Sequence, residues 1–203
     1  MVFILIATIV LSQIEKGDLV HWFGKRDLIF WNTFWMFVTR LGEEFIYIIV
    51  LVVLIFRKYA YAIMVPLLGL SVGLVSWILK DIFNQPRPMQ YYQDLDQLGR
   101  LFVIENFKTL TGYSSFPSGH TLSAFAIYSF FAIVVKQKWI SFICFFIATG
   151  VGLSRVYLNQ HFFEDIYLGS ILGVSLAIAH YYFSEFLANK YKNLNKSLRK
   201  ERV

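Results

Sequence analysis

Two histidines and one aspartate supply the groups that nucleophilic attack on phosphorus requires. His161 and Asp165 stand four residues apart, so they share one helix face if a helix begins near His161. A carboxylate beside one ring nitrogen fixes the imidazole tautomer and leaves the other nitrogen free to attack. His120 follows Pro-Ser-Gly at a predicted helix start, where it can protonate a leaving oxygen. We therefore predict His161 as nucleophile, Asp165 as its orienting carboxylate and His120 as general acid.

Five further residues near these three have the types that hold a phosphate group. They are Lys80, Arg87, Ser118, Gly119 and Arg155. Arginine forks match phosphate oxygens in pairs, and the free N–H groups at a helix start attract anions. Pentacoordinate phosphorus needs its equatorial charge neutralised, which fixed cations and N–H groups can do. The set predicts a site for phosphoryl transfer.

Each of these residues also has a simpler explanation when it is taken alone. A histidine at a helix end is more often a hydrogen-bonded structural residue, and a basic residue near a span usually reaches for the headgroups. The segments that carry these residues, around residues 80–87, 118–120 and 155–165, all fall on one side of the membrane if the chain crosses it six times. Ionisable residues at membrane boundaries are costly, so their co-location favours function over coincidence.

The spacing of these residues follows a three-part signature, and the sequence resembles the type 2 phosphatidic acid phosphatase superfamily. The parts are Lys80 with Arg87-Pro88, then Pro117-Ser118-Gly119-His120, then Ser154-Arg155 with His161 and Asp165. No signature position departs from the family pattern, and the match spans residues 80–165. Any one part alone is unspecific, whereas all three in order are strong support.

The resemblance implies a two-step mechanism and a six-helix membrane layout. His161 would attack phosphorus to form a phosphohistidine while His120 protonates the leaving group, and water would then cleave the intermediate. Asp165 would orient His161. No metal and no other cofactor are expected, which agrees with a site that has few carboxylates and several fixed cations. The remaining signature residues would hold the phosphate, namely Lys80, Arg87, Ser118, Gly119 and Arg155.

The composition predicts that these residues sit in a membrane protein. The chain has 203 residues, of which 57% are hydrophobic and 16% are charged, whereas soluble proteins carry about 25% charged residues. We predict a single all-α domain over residues 1–203, a polytopic bundle of six transmembrane helices. The predicted spans are residues 1–11, 45–56, 59–79, 121–135, 139–153 and 166–186. The fourth and fifth reach spanning length only if their helices run on through Ser118 and Arg155.

An aromatic segment at residues 28–38 favours the headgroup level, so we predict an interfacial helix there. It could also extend the second span. Later in the chain, Leu95, Leu98, Leu101 and Phe102 recur at helical spacing within the long 89–115 loop. This pattern predicts a further interfacial helix over the site.

Basic residues set the predicted orientation. With six spans, the side that holds both termini and the basic tail at residues 188–203 carries ten basic and two acidic residues. The other side carries nine basic and eleven acidic residues. The positive-inside rule then makes both termini cytoplasmic. The compact size and the resemblance indicate a bacterial inner-membrane enzyme whose site faces the periplasm. The +6 net charge is explained by topology, so no nucleic-acid partner is expected.

A site at helix ends places the reacting phosphorus at headgroup depth, which suits a membrane lipid phosphate as substrate. Candidates are undecaprenyl diphosphate, phosphatidylglycerol phosphate, phosphatidic acid and the 1-phosphate of lipid A. Arg100 and Lys108 could reach the second phosphate of a diphosphate or simply meet headgroups. Glu43 and Glu44 could shape an entrance, although a plain boundary role is the simpler interpretation. His180, inside the last span, is expected to bond between helices.

Two other functions fit parts of the pattern. A lipid-binding or lipid-flipping protein would use the cations to grip headgroups, but binding alone does not need both His120 and His161. A vanadate-dependent haloperoxidase shares the family signature, but the membrane spans argue against it, as they do against the soluble acid phosphatases of the family. Phosphate release from lipids separates the first alternative, and halide oxidation with added vanadate separates the second.

Overall fold

The computed structural model describes residues 2–24, 29–104 and 107–198, and these ranges contain helices and no strands. The α-helices are α1 Val2–Gln13, α2 Asp18–Gly24, α3 Ile29–Arg40, α4 Phe45–Leu54, α5 Tyr59–Phe83, α6 Pro88–Asp94, α7 Gly119–Val135, α8 Lys138–Tyr157 and α9 Phe163–Lys190. Two short 3-10 turns follow α6 and α9, at Leu98–Arg100 and Lys192–Asn195. The predicted all-α class is confirmed.

Three helical stretches of the described chain are long and apolar enough to cross a membrane. They are Tyr59–Asp94, which joins α5 and α6, Lys138–Tyr157 and Phe163–Lys190. The apolar helices α4 and α7 are shorter, with 10 and 17 residues, or about 15 and 25 Å against a hydrocarbon core of about 30 Å. Helix α8 runs on through Arg155 and so meets the condition set for the fifth span, whereas α7 begins at Gly119 and does not include Ser118. The number of six spans stays a prediction.

Helix α7 forms the centre of the bundle and packs against α4, α5, α8 and α9. Its contact with α9 is close because α9 carries glycine at the crossing. A Cβ atom added at Gly173 would lie 2.6 Å from the Leu122 carbonyl oxygen and 2.8 Å from the Phe125 Cβ. The small residues therefore let the two backbones that carry the site approach each other.

The aromatic segment forms α3, which is a helix of its own. It ends at Arg40, and the turn at residues 41–44 separates it from α4, so it does not simply extend the second predicted span. Phe30 and Phe37 are exposed, while Trp35 stacks on Tyr157 of α8 with ring centroids 5.7 Å apart. Its position at the membrane interface remains a prediction.

The predicted helix around Leu95–Phe102 is wrong. The helical part of this loop is α6, which ends at Asp94, and only the 3-10 turn Leu98–Arg100 follows. Asp96 adopts a left-handed conformation with φ of 54°, which ends a right-handed helix. Leu101 is buried while Leu95 and Leu98 are exposed, so the leucines do not share one apolar face.

Candidate active site

The predicted site residues meet at one end of the bundle because successive helices run in opposite directions. Lys80 lies in the last turn of α5 and Arg155 in the last turn of α8. Ser118 is the N-cap of α7, and His161 lies two residues before α9 begins. The carboxyl ends of two helices and the amino ends of two others therefore surround one volume.

His161 is bonded to Asp165 and is almost completely buried. Its Nδ1 lies 3.1 Å from Asp165 Oδ2, and the side chains are each 2% exposed. The same carboxylate oxygen accepts the backbone N–H of Phe162 at 2.9 Å and the hydroxyl of Ser115. A carboxylate can only accept, so Nδ1 carries the proton, and Nε2 keeps its lone pair.

His161 and Asp165 contact each other in a different way from the one that the sequence predicted. Because α9 begins at Phe163, His161 lies outside the helix and the two residues do not share a helical face. Asp165 instead sits in the first turn of α9, where its side chain turns back toward the preceding backbone. The contact is therefore made by a helix start, which also favours a negative charge.

Burial and neighbouring cations act on His161 in the same direction. Burial lowers the pKa of His161 well below its ordinary value of 6.5, and the positive charges of Arg155, Arg87 and Lys80 lower it further. The imidazole is therefore neutral at neutral pH, which is the form that can attack.

The two arginines are held by different parts of the chain. Arg87 is 6% exposed and donates from Nη1 to the Gln160 carbonyl oxygen at 3.0 Å and from Nη2 to the Ser114 carbonyl oxygen at 3.2 Å. Arg155 donates from Nη1 to Thr39 Oγ1 at 2.7 Å. The buried Nε of Arg155 has no hydrogen-bond partner within the described part of the chain, so this donor is left for an anion.

The start of α7 brings backbone, hydroxyl and ammonium groups together. Ser118 Oγ accepts from the Thr121 hydroxyl at 2.9 Å, which leaves its own proton available to a ligand. A Cβ at Gly119 would lie 3.2 Å from Ser76 Oγ and 3.6 Å from Lys80 Nζ. Gly119 therefore leaves room for the ammonium group to lie beside the helix start.

His120 completes the group. It lies within electrostatic range of His161, Lys80, Arg87 and Arg155. Together with Lys80 and Gly119 it lines a cavity of about 1080 Å³. The structure thus brings the two imidazoles and three cations to one volume, while their roles stay predictions.

Glu43 and Glu44 line the same cavity, and whether they shape an entrance or only mark the membrane boundary stays open. No group of three or more His, Cys, Asp or Glu side chains that could hold a metal occurs in residues 2–24, 29–104 and 107–198. The site therefore offers cations and imidazoles rather than a set of metal ligands.

Three other residues singled out in the sequence have contacts of their own. The Arg100 side chain bonds to Gln97 Oε1 at 3.0 Å, and Lys108 is exposed. His180 bonds to Ser71 Oγ of α5 at 3.1 Å, which is the predicted bond between helices.

Sequence reasoning missed three buried residues that support the site. Ser115 contacts both His161 and Asp165, Thr39 holds Arg155, and the Gln160 carbonyl oxygen holds Arg87. Ser115 is adjacent to the Pro-Ser-Gly-His segment, but no spacing rule marks it. Thr39 is 116 positions from Arg155, and nothing in the sequence pairs them.

Fold and site together define a helical membrane protein with a pocket of cations and imidazoles at one end of its bundle. The sequence model of the PAP2 superfamily matches residues 58–188, and the chain belongs to this superfamily. The resemblance seen in the sequence is therefore confirmed.

Several proteins named as lipid phosphatases are similar in sequence. The dihydrosphingosine 1-phosphate phosphatase of Schizosaccharomyces pombe is 25% identical over 82% of this chain and 41% of its own length. The lipid A 1-phosphatase of Porphyromonas gingivalis is 29% identical over 45% of this chain and 21% of its own. This chain thus spans half or less of the length of these relatives.

Two solved structures share the fold. LpxE of Aquifex aeolicus superposes with a TM-score of 0.64 at 23% identity, covering 81% of this chain and 93% of its own. A PAP2-type phosphatidylglycerolphosphate phosphatase of Bacillus subtilis has a TM-score of 0.63 at 22% identity, covering 99% and 96%. At these identities the likeness shows the fold.

Proposed function

We propose that the protein is an integral-membrane phosphatase that removes a phosphate group from a membrane lipid through a phosphohistidine intermediate. The observation that carries the proposal is the buried His161–Asp165 bond of 3.1 Å, which lies within the electrostatic range of Arg155, Arg87 and Lys80. A neutral imidazole whose one nitrogen donates to a carboxylate keeps a lone pair on the other nitrogen and can act as a nucleophile.

In the first step, His161 Nε2 forms a bond to phosphorus as the bond from phosphorus to the leaving oxygen breaks. His120 gives its proton to that oxygen. Lys80, Arg87 and Arg155, with the Ser118 hydroxyl and the N–H groups beginning at Gly119, neutralise the equatorial oxygens. The buried Nε of Arg155, which has no acceptor among the described residues, would then gain one from the phosphate.

In the second step, water attacks phosphorus and the bond to His161 breaks. His120 takes the proton from this water, which restores the general acid. Asp165 stabilises the positive imidazole ring during both steps, as a triad aspartate does. No metal takes part in either step of this proposal.

A lipid substrate is supported by where the site lies. Lys80 and His120 stand at the ends of apolar helices, and a phosphate bound between them would lie near headgroup depth if these helices cross the membrane. The relatives are named as phosphatases of dihydrosphingosine 1-phosphate, lipid A and diacylglycerol pyrophosphate. Undecaprenyl diphosphate, phosphatidylglycerol phosphate, phosphatidic acid and lipid A 1-phosphate are the substrates we propose to compare.

We expect the purified protein to release phosphate from at least one of these four lipids in detergent containing EDTA. His161→Ala should abolish the release, and vanadate should inhibit it because it mimics pentacoordinate phosphorus. His180→Ala is the matched control, since His180 bonds between α5 and α9 and lies outside the site. Activity that strictly requires a divalent metal would overturn the mechanism.

The same panel tests the other two functions. Lipid binding without any turnover favours a lipid-binding or lipid-flipping protein, and halide oxidation with added vanadate favours a haloperoxidase. If Arg100 and Lys108 bind a second phosphate, replacing both with alanine should reduce activity on diphosphates more than on monophosphates. Equal losses on both substrates would count against that role.

A further inference from the structure

The cavity at Lys80 and His120 extends well beyond the space that a phosphate needs. Its lining on α5 includes Pro66, Gly69, Gly73, Ser76 and Lys80, which recur every three or four residues and so share one helix face. Fourteen residues separate the first from the last, or about 21 Å along the axis. One leaflet contributes about half of a hydrocarbon core of about 30 Å, so the groove is as deep as a leaflet.

Glycines on α5, which have no side chain, leave this groove wide. A Cβ added at Gly73 would meet no atom within 4 Å, whereas one at Gly69 would lie 3.4 Å from the Tyr47 ring of α4. Phe45, also on α4, lines the groove near the site. Leu70 and Trp77 line it as well and are 70% and 68% exposed, so the groove opens sideways toward the lipid.

We propose that this groove holds one hydrocarbon chain of the substrate lipid, and that Gly73 keeps the path of that chain open. This inference rests on the proposed lipid phosphatase function. The occupant follows from continuity, because the groove begins at Lys80 and His120, where the phosphate would lie. Apolar walls open to the membrane match a hydrocarbon chain, and a chain in the groove would align the phosphate with His161.

The test is a series at Gly73 that adds volume in steps, with alanine, leucine and tryptophan. Each variant is assayed on phosphatidic acid with two long acyl chains and on phosphatidic acid with two very short ones. We expect kcat/KM for the long-chain lipid, divided by that for the short-chain lipid, to fall with side-chain size. With tryptophan the fall should reach roughly tenfold or more, because a misplaced phosphate is poorly aligned for attack.

Leu74→Trp is the matched control, since Leu74 is the next residue of α5, is 57% exposed and lies outside the groove lining. This control should leave the ratio unchanged. A constant ratio across the Gly73 series, or an equal change in Leu74→Trp, would overturn the proposal. If the unaltered protein hydrolyses another of the four candidate lipids rather than phosphatidic acid, the series is run on long-chain and short-chain forms of that lipid. If it hydrolyses none of the four, the proposed function itself has failed, which is a different result.

A cysteine at Gly73 provides a second measurement that does not depend on bulky substitutions. Cys144, a buried cysteine, is first replaced by alanine. An alkyl methanethiosulfonate should then label Gly73→Cys, and long-chain phosphatidic acid should slow this labelling more than the short-chain lipid does. Equal protection by both lipids would contradict the proposal.

A separate observation concerns Ser115, a completely buried residue that the signature does not include. Its hydroxyl donates to Asp165 Oδ2 and lies 3.3 Å from His161 Nδ1. Its backbone N–H donates to the Gln85 carbonyl oxygen at 3.0 Å. Ser115 thus connects His161 and Asp165, through its hydroxyl, to the loop that carries Arg87, through its backbone N–H.

We also infer that Ser115 is a positioning residue for the nucleophile and acts through Asp165. A hydroxyl that donates to an ionised carboxylate makes a strong bond. This bond orients the oxygen that holds Nδ1 of His161. If the Ser115 hydroxyl only filled space, its removal would lower the rate by the same factor whether or not Asp165 is present.

Ser115→Ala should lower kcat by roughly 10- to 100-fold with little change in KM. Ser115→Thr keeps the hydroxyl and should restore a large part of kcat. Ser184→Ala is the control, because Ser184 is equally buried but its hydroxyl donates to the Tyr181 carbonyl oxygen of its own helix, away from the site.

A double-variant cycle separates positioning from a general loss of structure. The variant with both Ser115→Ala and Asp165→Asn should be about as slow as Asp165→Asn alone, because residues acting as a unit are not additive. Independent, additive losses would overturn the role, as would a kcat for Ser115→Ala equal to that of the unaltered protein.

Discussion

At the residue scale, the surroundings of His161 favour the neutral imidazole that its proposed role as nucleophile requires. Burial and the charges of Arg155, Arg87 and Lys80 all oppose protonation of its ring. The Asp165 contact commits Nδ1, so the neutral ring keeps a lone pair on Nε2. Charge and hydrogen bonding therefore select one protonation state and one tautomer.

The lowered pKa of His161 predicts how activity depends on pH. A ring whose pKa lies below 6.5 stays neutral as the pH falls through 6.5 and is lost as nucleophile only below that value. We therefore expect the acidic limb of kcat/KM that belongs to His161 to lie below pH 6.5. The pKa of the lipid phosphate is measured by phosphorus NMR in the same detergent. Its contribution to the pH profile is removed before the limb of His161 is assigned. A His161 limb at or above 6.5 contradicts this prediction.

Arg155 gives a second prediction at the same scale. Thr39→Val keeps a similar volume but removes the oxygen that accepts from Arg155 Nη1 at 2.7 Å. A less well positioned arginine should raise KM about tenfold, given that bonds to charged groups contribute about 1.5–3 kcal/mol. Kinetics on a lipid phosphate measure the effect.

Thr149→Val on α8 is the control for this substitution, because the buried Thr149 hydroxyl oxygen has no partner in the described chain. It should leave KM within about twofold, since surface and unpartnered positions change little. An unchanged KM in Thr39→Val would show that Thr39 does not position Arg155.

At the element scale, the site depends on how closely α7 and α9 approach. Gly169 and Gly173 of α9 face the first turns of α7, and a Cβ at Gly169 would lie 2.9 Å from the Ser118 carbonyl oxygen. The Ser118 backbone N–H in turn donates to the Asp165 carbonyl oxygen at 3.1 Å. The crossing thus holds the start of α7 beside the segment that carries His161 and Asp165.

Gly173→Ala should destabilise this crossing. The new Cβ would lie under 3.0 Å from backbone atoms of Leu122 and Ala126, and such overpacking costs roughly 1–3 kcal/mol. Thermal unfolding in detergent should show a lower midpoint. Gly73→Ala, where the Cβ meets nothing within 4 Å, is the matched control and should keep its midpoint. Equal midpoints for the two variants would contradict the close crossing.

The turn after α5 is a second element that positions the site. Asn84 ends α5 in a left-handed conformation with φ of 43°, which asparagine tolerates better than most residues. The chain then returns over the site, and the Arg87 backbone N–H bonds to the Gly112 carbonyl oxygen at 2.9 Å. In the proposed function, Lys80 and Arg87 would therefore approach one phosphate from two directions.

At the scale of the whole molecule, the ends of the bundle differ in chemistry. One end, the site end, holds the pocket. At the opposite end, the backbone N–H of Tyr59 donates to the Lys196 carbonyl oxygen at 2.9 Å. Lys58 there pairs with Glu185 at 3.3 Å. We propose that the site end faces the periplasm and the basic end the cytoplasm, as the positive-inside rule predicts.

Cysteine labelling tests this orientation in bacterial cells. With Cys144 replaced by alanine, a cysteine is placed at Lys108, near the site end, or at Lys196, near the other end. A membrane-impermeant maleimide should label position 108 on intact cells and position 196 only after permeabilisation. The reverse pattern would show the opposite orientation.

The sequence alone determined the apolar helices, the family and which residues could act on a phosphate. Hydrophobic runs and motif spacings are local properties, so His120, His161 and the three cations could be found without coordinates. The tertiary structure decided that Asp165 contacts His161 from the first turn of a helix. It also decided that Ser115, 50 positions before Asp165, bonds to this carboxylate. Only the packing shows that the backbone at Gly73, which has no side chain, faces a groove. These contacts arise where helices distant in the chain pack together, and no local pattern encodes which atoms then meet.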